Sequence, residues 1–230
     1  MKYIVIGLGR YGSKLAVVLS EMGHEVIGVD SNDERCDEVK DSIATAIRMD
    51  TTNINAIKSL PVDDVDAVIV TIGEDVGASI LTLSVLKNLK ISRIIGRAVN
   101  QVHFNILKQI GIEEVVLPLE DSAVQLASML QLWKVKKIYE LGNDNAIVEV
   151  DVPLKYAGHN IDTLNITERF RLKLVAIKSR RDDNIISTVF RTQYTVDLFK
   201  SPDYILLETD LLVIAGKMKD IKRFIDRDII

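Results

Sequence analysis

At 230 residues the chain is long enough for one large or two modest domains with a substantial core. A hydrophobic share of 47% with 27% charged residues excludes a disordered chain, and a net charge of −4 leaves no basic surplus to neutralise a nucleic-acid backbone. The apolar runs, such as residues 67–72, are strand-length against the ~20 residues that cross a bilayer, and the chain enters a strand at once, leaving no room for a signal peptide.

Short segments rich in Val and Ile, bounded by turn residues, predict strands over 2–6, 25–29, 46–49, 67–72, 93–97 and 114–117. Helical patterns lie between and after them, over 11–22, 33–43, 53–60, 75–89, 101–110 and 121–133. Six β-α units in series predict an α/β fold: a doubly wound parallel Rossmann sheet with right-handed crossovers. The character changes after residue 133. "KVKKIYELGNDNAIVEVDV" (134–152) reads as a short basic link and then strands around a turn at Gly142-Asn143-Asp144. Strand-like runs recur at 173–177 and 211–214, with helices over 161–170 and 218–226. This predicts a second, smaller α+β domain, dividing the chain into 1–133 and 134–230. "STVFRTQYTVDLFK" and "SPDYILLETD" read as a loop with one extra short element.

Gly7-x-Gly9-x-x-Gly12 follows the first strand and opens a helix, the context a phosphate-binding turn requires. Gly7 permits the tight turn, Gly9 lets a phosphate approach the backbone beside Leu8 and Tyr11, and Gly12 lets helix and strand pack closely. Free N–H groups and the helix dipole there favour an anion. Asp30, with Ser31 after it, ends the second strand eighteen residues beyond Gly12 and can accept hydrogen bonds from ribose hydroxyls. No arginine immediately follows it, which disfavours NADP. Arg10 is a cation in the first turn of a helix, opposing the dipole unless a di- or triphosphate offsets it; the alternative is a solvated side chain.

Ligands of open parallel sheets sit beyond the strand carboxyl ends. After strand three, Asp50-Thr51-Thr52 either meets an adenine edge or caps the next helix. Thr71, Ile72, Gly73, Glu74 and Asp75 follow strand four, where Gly73 lets the backbone approach a ligand or merely serves a turn. Arg97 after strand five is a second cation for phosphates or a structural ion pair. Glu120 and Asp121 begin a helix, where acids are favoured in any case. His24, His103 and His159 are scattered, so no metal cluster is expected, and the single Cys36 suits a reducing cytosol.

The segments "VIGLGRYG", "MGHEVIGVD", "DTT" before "VDAVIVTIGED", "LKQIGIEEVVLP" and "KDIKRF" run nearly the whole chain. In these it resembles the cytosolic regulatory subunits of bacterial potassium uptake systems, the KtrA/TrkA family built on RCK domains. The resemblance implies an N-terminal RCK domain (TrkA-N), a crossover helix and a C-terminal RCK domain (TrkA-C). It also implies a homodimer that assembles into an octameric ring at the cytoplasmic face of the membrane, beneath a separate membrane-spanning potassium transporter subunit. Gly7, Gly9, Arg10 and Gly12 would hold phosphates, Asp30 ribose, and Asp50 with Thr52 would border adenine. Arg97 stands where relatives often have lysine. Leu119 fills the place after the strand-six proline where relatives commonly have a cation-binding glutamate, so no metal ligand is assigned. "NIDTLNITERF" resembles the segment where some relatives bind cyclic di-AMP, although the stretch 184–206 departs from that pattern.

The last helix of the first domain is apolar around most of its circumference, through Ala123, Val124, Leu126, Ala127, Met129, Leu130, Leu132 and Trp133. Either a second subunit or the C-terminal domain would cover it. A ligand-gated regulatory subunit that binds ATP or ADP, ahead of NAD(H), fits best, and no enzymatic activity is expected. The alternatives are an NAD-dependent oxidoreductase, for which His103 and Lys108 are the proton-donor candidates, and a stand-alone NADH redox sensor.

Overall fold

In the computed structural model, which describes residues 1–130, 134–180, 194–198, 201 and 203–226, the apolar segments of the first half pair as parallel strands. These are β1 (Lys2–Ile6), β2 (Glu25–Asp30), β3 (Thr45–Arg48), β4 (Ala67–Val70), β5 (Ile94–Arg97) and β6 (Glu114–Val116), in the order β3-β2-β1-β4-β5-β6. Every residue of β4 is buried, because a parallel sheet wrapped by crossover helices has no wet face. Alternation along β1 divides the core. Ile4 and Ile6 join a cluster with Ile57, Leu83 and Leu107, while Val5 points the other way to Ala16 and Val39.

The helices are α1 (Arg10–Glu21), α2 (Asp33–Val39), α3 (Ile54–Ile57), α4 (Val76–Asn88), α5 (Gln101–Gln109) and α6 (Pro118–Leu130). Two are shorter than their patterns predict. The chain turns after Val39, where Ser42 N–H bonds back to the Val39 carbonyl, and α3 is a single turn. Asn32, Asn53, Asp75 and Asn100 cap α2 to α5 through their side chains, whereas α1 starts at Gly9 with no side-chain cap.

The strand register positions the site. Ile6 lies opposite both Val29 and Val70, and Val70 opposite Gly96. The next residues along (Gly7, Asp30, Thr71 and Arg97) therefore emerge together at the carboxyl edge, where the order reverses between β1 and β4.

Contacts divide the chain into Met1–Ser122 and Ala123–Ile230, a boundary inside α6. No α6 side chain is buried; Val124, Leu126 and Leu130 are all strongly exposed. Leu132 and Trp133 lie outside the described residues.

The second unit is an antiparallel sheet of β7 (Val135–Gly142), β8 (Asn145–Asp151), β9 (Lys173–Arg180), β10 (Tyr194–Asp197) and β11 (Leu211–Lys217), ordered β10-β9-β11-β8-β7. Here β10 is the extra short element, while residues 184–193 lie outside the described set. The expected helix over 161–170 is instead two short ones, α7 (Ile161–Leu164) and α8 (Ile166–Phe170). Asn165 between them sits at φ +46°, a left-handed conformation that asparagine tolerates and that ends a helix. With α9 (Met218–Asp226), α8 closes the core. Phe170 and Phe224 meet edge to face at 5.1 Å, and Tyr156 stacks on Phe224 at 5.4 Å.

Candidate functional site

The turn after β1 is held from below and open above. Gly7 has φ +93°, and a Cβ there would stand 2.8 Å from the Ile72 nitrogen. A Cβ on Gly12 would lie 1.9 Å from the Gly7 carbonyl oxygen and 2.3 Å from the Thr71 hydroxyl. That buried hydroxyl donates to the carbonyls of Ile6 and Gly7, pinning the turn to β4. Around a Cβ built on Gly9, by contrast, there is nothing within 4 Å. The first N–H groups of α1 therefore face open space with no side-chain cap and no acid in the first turn.

That space is a cleft of about 640 Å³. All the candidate residues line it except Leu8 and Gly12. Leu8 is buried, with its N–H donating to Asp30 Oδ2 at 2.6 Å, and Gly12 packs beneath the turn. Asp30 Oδ1 accepts the Asn32 N–H at 2.9 Å. Asp30 is thus both a wall of the cleft and the tie between the glycine turn and β2.

The remaining groups sort by environment. Arg10 is exposed at the mouth. Arg97 is half-buried, its guanidinium 5.3 Å from the centroid of Tyr11 and 3.2 Å from the Thr71 carbonyl, and its Nε has no hydrogen-bond partner among the described residues. A Cβ on Gly73 would come within 2.7 Å of Arg97 Nη1, so any larger residue there would displace the guanidinium. Asp50 Oδ1 accepts from the Thr52 hydroxyl at 2.7 Å and from its N–H at 3.0 Å, which holds the Asp50 carboxyl below the usual carboxylate range. Thr51 shares a buried hydroxyl contact of 3.0 Å with Thr82 of α4, so it anchors this loop from within.

Glu74 and Asp75, expected at the carboxyl edge after strand four, line the cleft, and so do Arg35, Met49 and Ala78, which sequence reasoning did not place there. Met49 carried a signal, since it ends the strand predicted over 46–49. Arg35 did not, because it lies one turn into α2 and reaches the cleft through the packing of that helix. Leu119 lines the cleft and Glu120 does not. His103 is fully buried, with Nδ1 near the Val99 N–H at 3.4 Å, and burial pushes its imidazole below the ordinary value. Lys108 donates to the Glu113 carbonyl. Neither lines the cleft.

The TrkA-N domain family matches residues 3–118, which hold all but the first residue of the β1 to β6 sheet and nearly all of the cleft lining. The chain belongs to this family. It is 34% identical over 223 residues to Ktr system potassium uptake protein A of Bacillus subtilis (strain 168), covering 97% of this chain and 95% of the relative. Ktr system potassium uptake protein C of the same organism is 31% identical over equal shares. The GsuK RCK domain superposes with a TM-score of 0.65 at 18% identity over 97% of this chain, and the GsuK channel bound to NAD with 0.64 at 17%. This TrkA-N chain spans 47% and 38% of those two GsuK chains, so the likeness is one of RCK fold. Among the described residues no helix is long and apolar enough to cross a membrane.

Proposed function

We propose that this chain is a cytoplasmic regulatory subunit of a potassium uptake system, and that its cleft binds ATP or ADP and releases it chemically unchanged. The 34% identity to a Ktr system potassium uptake protein supports the physiological setting. The observation that carries the ligand is the uncapped start of α1 above Gly9, flanked by Arg10 and Arg97. A cation at the start of a helix costs about 0.3–1 kcal/mol unless an anion offsets it, and a polyphosphate would do so through charge-assisted hydrogen bonds. Asp30 would accept from ribose, while Asp50 and Thr52 border the base. Among the described residues no lysine or histidine lines the cleft, which supports a sensor over a dehydrogenase.

In this reading the exposed apolar side of α6 is covered by a second copy, dimers assemble into a ring, and the ring meets a separate membrane-spanning subunit. Nucleotides shift the ring between two arrangements only by their differential affinity for them. NAD(H) is the second ligand reading, favoured by the NAD-bound GsuK channel of similar fold.

Titration calorimetry with ATP, ADP, AMP and NADH tests the assignment, with chromatography of the recovered nucleotide. ATP or ADP is expected to bind in the micromolar range or tighter and return intact. Arg10→Ala is expected to weaken ATP more than AMP. Absence of binding to all four, or turnover of any, overturns the reading.

A further inference from the structure

Two residue types distinguish ribose ends in sheets of this kind: a carboxylate that accepts from a free 2′-hydroxyl, and an arginine that accommodates a 2′-phosphate. This cleft holds both. Asp30 is 6% exposed and its two oxygens already accept the N–H groups of Leu8 and Asn32. Arg35 stands beside it, with Nη1 3.8 Å from Asp30 Oδ2 and a third of its side chain exposed on the cleft wall. Its Nη2 donates to Glu74 Oε2 at 2.7 Å, and Glu74 is 79% exposed. Such a solvent-exposed ion pair is weak and readily exchanged. Asp30 and Glu74 are the acids facing Arg35, and Ser31 offers an exposed hydroxyl on the same side.

We infer that Arg35 is a specificity-determining residue of this site, offsetting Asp30 so that the cleft accepts an adenine nucleotide bearing a 2′-phosphate as well as one with a free 2′-hydroxyl. The assignment rests on the adenine-nucleotide reading above. It revises the expectation drawn from the lack of an arginine directly after Asp30, because helix packing brings in one five positions later. On binding, the guanidinium exchanges Glu74 for the 2′-phosphate, whose oxygens match its paired N–H donors far better than a lysine would. Glu74 competes with that phosphate.

Adenosine 2′,5′-bisphosphate and AMP differ only at the 2′ position, so their affinities isolate the effect. Calorimetry on the full chain is expected to find the bisphosphate bound within about threefold of AMP. Arg35→Ala is expected to weaken the bisphosphate about tenfold or more and AMP less than about threefold, and Glu74→Gln to strengthen the bisphosphate by about two- to fivefold. Retained AMP affinity certifies that each variant is folded. A wild-type chain that binds AMP but holds the bisphosphate tenfold or more weaker overturns the inference alone. So does equal weakening of both ligands by Arg35→Ala. If AMP, ATP and ADP all fail to bind the wild type, the inference falls together with the nucleotide reading.

Discussion

Gly12 in the first unit and Gly142 in the second both serve turns, yet different forces require them. A Cβ on Gly12 would overlap the Gly7 carbonyl at 1.9 Å, although its own backbone is ordinary helix. Gly142, in the hairpin between β7 and β8, has φ +85° and nothing within 4 Å of an added Cβ. The first is required by contact, the second by backbone conformation. Gly9 belongs to neither class: its φ of −67° suits any residue and its Cβ would meet nothing. The fold makes no demand on Gly9, and the proposed nucleotide site supplies one, the approach of a phosphate. The second unit reverses its chain with glycine, while in the first the surface above Gly9 is open.

Substitutions at four positions bear on this contrast, in falling order of expected effect on stability. Gly12→Ala forces a backbone carbonyl aside and is expected to lose about 3 kcal/mol in urea unfolding; a loss under about 1 kcal/mol would break the contact argument. Thr71→Val removes the buried donor that serves the Ile6 and Gly7 carbonyls, with an expected loss of about 2 kcal/mol and weaker nucleotide binding as the turn loosens. Gly142→Ala is expected to lose about 1 kcal/mol, and Gly142→Asn less, with nucleotide affinity unchanged. Gly9→Ala should leave stability within about 0.5 kcal/mol, since a poorer cap and a less flexible unfolded chain act in opposite directions. Its nucleotide affinity is nonetheless expected to fall about tenfold, as the methyl group occupies the phosphate approach. Unchanged affinity in this variant would remove the reason for distinguishing Gly9 from Gly142.

Much of the first unit was legible from local pattern. Strand β1 coincides with the apolar run over 2–6, and the carboxyl-edge positions of Gly7, Asp30, Thr71 and Arg97 follow from strand ends alone. The helix over 161–170 was misjudged because an apolar period continues through Asn165, whose left-handed conformation breaks the helix without breaking the pattern. Arg35 escaped notice for a related reason. It is 39 residues from Glu74, and no spacing rule connects them.

The alternation of strand and helix, the glycine turn and the edge where the cleft opens were determined by the sequence itself, because each depends on near neighbours and on the period of burial. Tertiary structure alone decided that the Leu8 N–H would occupy Asp30, that Thr51 would lock onto Thr82, and that Arg35 would stand between Asp30 and Glu74. Those meetings follow from strand register and from how each helix lies on the sheet. They are properties of packed elements, which a linear pattern does not encode position by position.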